Sequence, residues 1–338
     1  MTIPYRTRKL LKNVATVLLI LLLAALLVTG IWVLWLEAYI VFDRDQGASL
    51  DMSLPRRVPT GQVAALPEEE TVSIYYNEGD NAINTSKELA QLVGYYVERE
   101  ALKDLGTVRT QIQALPAGTP ILIDVKNVHG SAYYSSMAVG QQSGEIDIAA
   151  MDELIAYLNK SGMYVIARLP ALCDKYYGLN HVPDGLYHSS RGYLWMDDNG
   201  CYWLNPESQG TITYLVQIVN ELKALGFDEV VFDHFYVPDA EVYFPNDRTQ
   251  ALATAAQTLV TTCATDTFAV SFVGQDGAFP IPEGRSRLYL TDAAAANAAS
   301  IASQTGLEDP SIRLVFLTDV HDTRFDVYSV LRPLSAAH

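Results

Sequence analysis

The chain has 338 residues, 49% of them hydrophobic, and a formal net charge of −16. That length can bury a sizeable core, and the acidic balance argues against a nucleic-acid partner while leaving room for a neutral or cationic ligand. Three cysteines, Cys173, Cys201 and Cys263, fit no metal-ligand spacing, so no metal or other cofactor is expected.

The N-terminus opens with Arg6, Arg8, Lys9 and Lys12, then runs uncharged from Asn13 to Leu36, with Trp32 and Trp35 near its far end and Glu37 closing it. At about 1.5 Å per residue the apolar run reaches roughly 35 Å, enough to cross a bilayer with some tilt and too long for the core of a cleaved leader. The expected organisation is a basic cytoplasmic tail (1–12), a transmembrane signal anchor (13–42), an extracytoplasmic stalk (43–70) and one domain from 71 to 338. The stalk reading rests on Pro55, Pro59, Gly61, Pro67 and three consecutive glutamates, with no apolar period to bury. The protein is therefore expected at the cell membrane, single-pass, with its domain outside.

Beyond the stalk, apolar runs alternate with helical patterns, the signature of an α/β fold with parallel strands. Strands are predicted at Val93–Val97, Pro120–Val125, Tyr164–Leu169, Glu229–His234, Phe268–Val273, Arg287–Leu290 and Arg313–Leu317. An eighth is not readable, with Val72–Tyr76 as a filler, so a TIM-like (β/α) barrel, complete or not, is favoured over an open doubly wound sheet. Ile148, Met151, Leu154, Ile155 and Leu158 mark a helix closed by Gly162. Ile212, Leu215, Val216, Val219 and Leu222 mark another, stopped by Gly226, and residues 252–264 a third.

Residues 170–210 form about forty positions without an apolar period, long enough to imply a functional or internally braced segment. They hold Tyr176, Tyr177, Tyr187, Tyr193, Trp195, Tyr202 and Trp203. As a group, with Trp195 and Trp203 foremost, these rings suggest a wall for sugar faces, although each one alone could simply pack the loop down. Cys173 and Cys201 bracket this segment, as a disulfide or as two free thiols; Cys263, among Leu259, Val260 and Ala264, reads as core.

Several strands end in charge: Asp124 and Lys126, Arg168, Asp233 and His234, Asp276, Asp292, then Asp319, His321 and Asp322. Parallel neighbours would bring these groups to one face, where barrel enzymes keep their chemistry. Asp292 is better read as a helix cap. Asp233 follows the continuous apolar run Val230–Phe232, so a carboxylate there needs a reason, and Arg168 could hold it ionised. Glycosidic hydrolysis needs one ionised and one protonated carboxyl; Asp233 is the candidate for the first, Asp276 and then Asp319 for the second. Asp124, Lys126, Arg168, Trp195, Trp203, His234 and His321 are the candidate substrate contacts. A metal-dependent deacetylase built on Asp233, His234 and His321 would need a ligand spacing that is not present.

These residues resemble a family, the glycoside hydrolase domain of bacterial surface proteins, related to α-amylase-type barrels. The resemblance spans roughly Val93 to Pro238. It rests on Asp124-Val125-Lys126, Ile166-Ala167-Arg168, Trp203-Leu204-Asn205-Pro206, and Gly226-Phe227-Asp228-Glu229 leading into Phe232-Asp233. It implies a TIM-like barrel acting on polysaccharide, with Asp233 at the place of the fourth-strand nucleophile. The chain departs from the family after Asp233, where His234-Phe235-Tyr236-Val237-Pro238 lacks the usual arginine. A divergent hydrolase is one implication, and a glycan-binding or envelope scaffold on a degenerate barrel the other.

Overall fold

A computed structural model describes residues 89–274, 279, 281–291 and 293–337, together with Leu22, Ala25, Val28 and Thr29 and the backbone of 40–43 and 47–50. The chain divides into two units, Met1–Gly79 and Asp80–His338. In the first, Ile40–Asp43 pairs antiparallel with Gly47–Leu50, straddling the expected junction of anchor and stalk. Apart from Leu22, Ala25, Val28 and Thr29, which are helical, the remainder of the anchor and stalk, and Val72–Tyr76, lie outside the described residues. Among the described residues no helix is long and apolar enough to cross a membrane.

The second unit is a closed, all-parallel barrel of eight strands. In chain order these are β1 (Val93–Tyr96), β2 (Pro120–Asp124), β3 (Tyr164–Pro170), β4 (Glu229–Asp233), β5 (Ala269–Gly274), β6 (Leu288–Thr291), β7 (Leu314–Leu317) and β8 (Ser329–Pro333). All seven predicted strands are present, and β8 is the one that the sequence hid. It closes the ring, with Val330 opposite Val93 on β1 and Leu317 of β7 opposite Leu331. Where β1 crosses β2 the backbones nearly touch: a Cβ on Gly94 would lie 2.2 Å from the Pro120 carbonyl oxygen, so only glycine fits.

The helices are α1 (Leu105–Gln113), α2 (Ile148–Lys160), α3 (Lys175–Asn180), α4 (Gln209–Ala224), α5 (Arg248–Cys263), α6 (Ala298–Thr305) and α7 (Pro310–Arg313). Aspartates cap three of the long ones: Asp104, Asp147 and Asp247 accept from the backbone N–H of Thr107, Ala150 and Gln250. After α4, Gly226 adopts φ 87°, the left-handed stop its sequence predicts. The buried face of α4 carries Tyr214, Leu215, Ile218, Val219 and Leu222; Ile212 and Val216 are only half-buried, so the face is rotated toward Tyr214 and Ile218 from the predicted stripe.

Side chains alternate between the two faces of each strand. Ile121, Ile123, Val165, Ala167, Leu169, Val230 and Phe232 point outward into the layer shared with the helices. Leu122, Ile166, Val231, Tyr289, Val315 and Leu331 point inward and fill the barrel. The interior is thus a packed core rather than a pore, and chemistry is confined to its two mouths.

Candidate functional site

The inward register of β2, β3 and β4 ends in Asp124, Arg168 and Asp233. Asp124 stands opposite Arg168, and Asp233 lies one inward step above, opposite Pro170. Three charged side chains therefore line one arc of the C-terminal mouth. Arg168 grips Asp124 with two parallel hydrogen bonds, Nε to Oδ1 at 2.6 Å and Nη2 to Oδ2 at 3.1 Å. Such a planar fork is the strongest form of this pair and fixes both groups.

Asp233 holds its charge against its surroundings. Burial pushes its carboxyl up, but the adjacent His234 and the Arg168 charge outweigh that, and its pKa falls below the ordinary value. The backbone N–H of His234 donates to Asp233 Oδ1 at 2.7 Å. The His234 ring Nδ1 lies 3.3 Å from the same oxygen but makes no hydrogen bond, being poorly aimed. His234 also has φ 49°, the only positive φ at a non-glycine residue among those described. Strained backbone beside a strand-end carboxylate is a mark of functional sites. Behind it, Trp203 stacks at a tilt on Tyr236, with ring centroids 4.7 Å apart, and lies 6.1 Å from the His234 ring.

The other predicted site residues divide sharply. Lys126, two positions past Asp124, turns away from the mouth and makes a buried ion pair with Asp174 at 2.6 Å. Asp174 also accepts from the Tyr214 hydroxyl at 2.8 Å and the Tyr177 backbone N–H at 2.8 Å, so this pair braces the loop. Trp203 is buried, 3% exposed, and its Nε1 donates to Asp197, so it backs the mouth and offers no open face. Trp195 is half-buried against the same core. Asp319 and His321 sit exposed in the turn after β7, and no described contact joins them to Asp233. Asp322 is held by Arg324 in that turn. Asp276 and Asp292 lie outside the described residues.

The segment 170–210 is indeed braced. Backbone bridges join Cys173 to Trp203, Gly185 to Leu204 and Met196 to Tyr202, and Tyr187–His188 pairs with Val242–Tyr243 from the loop after β4. Asp184 accepts from the Ser208 hydroxyl at 2.5 Å and the Tyr177 hydroxyl at 3.0 Å. Most aromatic rings of the segment serve this packing, whereas Tyr193 (51% exposed) remains open. Cys173 and Cys201 are free thiols, both buried, and Cys263 is core.

The opposite mouth holds a site that the sequence reading missed. Glu229, fully buried at the start of β4, is salt-bridged by Arg287 and accepts from the hydroxyls of Tyr164 (2.9 Å), Tyr289 (2.9 Å) and Ser271 (2.5 Å). Arg287 spends its remaining donors on the carbonyls of Ala90 (2.8 Å) and Ile312 (3.2 Å). The inward parity of Glu229, four residues before Asp233, was the available signal. A groove of about 490 Å³ also runs between α4 and α5, lined by Glu207, Asn246, Gln250 and Thr254. It lies outside the barrel, and its lining holds no group with the strained or charge-opposed character of the mouth.

Eight parallel strands, a filled interior and charged strand tips at the C-terminal mouth define a (β/α) barrel of the TIM type. Residues 107–268 match the family model described as "Putative glycosyl hydrolase domain". No curated protein matches the sequence. Among solved structures, a GH36 α-galactosidase from Geobacillus stearothermophilus is similar with a TM-score of 0.51 at 11% identity, covering 73% of this chain and 39% of that one. An α-galactosidase from Lactobacillus brevis gives 0.50 at 12% identity over 74% and 39%. A hypothetical protein from Ruminiclostridium thermocellum gives 0.45 at 18% identity, over 52% of this chain and 96% of that one. The chain spans well under half of either galactosidase, and at these identities the likeness is one of fold.

Proposed function

We propose that the protein is a membrane-anchored, extracytoplasmic glycoside hydrolase that acts on a polysaccharide, with Asp233 as nucleophile or general base. The observation that carries this reading is Asp233 itself: an inward carboxylate at the end of β4, kept ionised in a largely buried setting by His234 and Arg168. An ionised carboxylate facing an open mouth is what attack on a sugar carbon, or on a water beside it, requires. The family match supports a glycan as the substrate class. Asp276, by its place after β5, is the first choice for the proton donor, with Asp319 second. The uncharged run 13–36 with its basic flank supports the anchor and the outward orientation of the barrel.

A glycan-binding scaffold is the second reading, and one observation favours it. Asp124, the other described carboxylate at the mouth, is neutralised by its two bonds to Arg168. The deciding experiment presents neutral glycans and cell-wall fragments to the native protein and to Asp233→Asn. Turnover by the native protein that disappears in the variant supports hydrolysis. Equal binding by both with turnover by neither assigns the scaffold role.

A further inference from the structure

The long connection between β3 and α4 carries a cluster that the glycan reading leaves unused. The sulfurs of Cys173 and Cys201 and a carboxylate oxygen of Asp197 all lie within 4.8 Å of one another. Both thiols are buried, at 2% and 0% exposure. His129 approaches from a separate loop, its Nδ1 3.5 Å from Cys201 Sγ.

Backbone geometry holds these groups in place. Cys173 bridges Trp203 in antiparallel fashion, so Cys201, two residues before Trp203, shares its face. Asp197 opens the turn that returns to Cys201: its Oδ1 accepts from the N–H of Asn199 (3.0 Å) and of Cys201 (2.9 Å), and Gly200 supplies φ 73°. Its Oδ2 takes the Trp203 indole N–H at 3.0 Å. The carboxylate is thereby aimed before any ligand arrives, and one lone pair of Oδ2 stays available.

We propose that Cys173, Cys201 and Asp197 bind a thiophilic divalent cation of the zinc type, with a water as the fourth donor. Two sulfurs completed by oxygen form a donor set that such an ion takes in four-coordinate sites. Binding forms two metal–sulfur bonds as each thiol releases its proton to solvent, with no change of oxidation state. The spacing, with the cysteines 28 positions apart and the aspartate four before the second, matches no linear motif, so only the folded chain shows the set.

The ion would tie the chain just after β3 to the 197–201 turn at one point. Through Asp197 it would also fix Trp203, the ring behind His234 and Tyr236. Its role is to position the mouth, without touching substrate.

The test uses the full-length protein, purified under reducing conditions, stripped with chelator and titrated with Co²⁺. One equivalent should bind with thiolate-to-metal charge-transfer absorption, be displaced by Zn²⁺, and raise the thermal midpoint in proportion to the logarithm of free metal. Cys173→Ser and Cys201→Ser should each weaken binding more than about tenfold and diminish the absorption, and Asp197→Asn should weaken it less. Cys263→Ser should change nothing. Absence of the band in the reduced native protein, or its persistence in the Cys173→Ser/Cys201→Ser double variant, overturns the proposal. So does a protein whose two cysteines form a disulfide and, once reduced, take up no metal. The native titration needs no substitution, so a variant that fails to fold leaves the answer intact, and none of these readouts depends on glycan turnover.

Discussion

The two mouths of the barrel use the same chemistry to opposite ends. At the N-terminal mouth Glu229 and Arg287 are fully buried, and every oxygen and nitrogen of the pair has a partner. At the C-terminal mouth Asp124 and Arg168 are 14% and 20% exposed, while Asp233 is 31% exposed beside a histidine nitrogen with no hydrogen bond. A saturated network specifies and closes a structure, whereas one with spare capacity can take a ligand. Opposite charge alone therefore does not locate a site; unspent hydrogen-bonding capacity does.

The contrast can be broken from either side, and the largest effect is expected on turnover. Asp233→Asn should lower hydrolysis of any glycan the native protein cleaves by at least about 10³-fold while leaving the unfolding midpoint in urea nearly unchanged. An equally active variant would remove Asp233 from the chemistry. Arg287→Met should instead spare the C-terminal mouth and cost about 3–5 kcal/mol of stability, because it strands a buried carboxylate; equilibrium unfolding measures this. A loss under about 1 kcal/mol would mean that Glu229 is held by its hydroxyl donors alone.

Lys126→Met should cost about 3 kcal/mol, since it orphans Asp174 among Tyr214 and Tyr177, and should speed proteolysis within 170–210 before the barrel yields. Arg168→Met should move the acid limb of the pH–rate profile upward, because it removes one cause of Asp233's lowered pKa. The sign follows from linkage: a depressed carboxyl contributes stability above its unfolded pKa that is lost as pH falls through the folded one, so the variant should also lose less stability on acidification.

The smallest effect belongs to Asp228, just before β4, where burial raises the carboxyl to about 6 against one hydrogen bond from the Val165 N–H at 2.7 Å. Its folded pKa exceeds its unfolded one, so the favourable contribution exists at low pH and disappears between about pH 4 and 6. Asp228→Asn should stabilise the protein by about 1 kcal/mol at pH 8 and not at pH 4, as thermal unfolding at the two values would show.

Much of the architecture was legible because the signals were local. Val230–Phe232 announces a covered parallel strand, Gly226 its preceding helix stop, and Asp233 an anomaly at its tip. β8 was illegible: it begins with Ser329, shows Arg332 outward and ends in Pro333, so no apolar run betrays it. Partnerships across the barrel were hidden for a different reason. Glu229 and Arg287 are 58 positions apart, and only the inward parity of β4 and β6 makes them neighbours. Lys126 looked like a member of the mouth because two-residue alternation was carried past the strand end, where the chain in fact turns to bridge Ala132. Trp203 looked like a sugar platform because its burial depends on a loop whose course no period encodes.

Ring closure by β8 also constrains how the molecule comes to be. Leu92 and Ser329 meet across 237 positions, so the seam between the first and last strands must wait until nearly the whole unit has been delivered. Until then β1 and β7 present bare edges, ready templates for pairing with another chain. A protein exported segment by segment would carry those edges through the crossing, and its yield would be governed by how well they are kept apart in the interval.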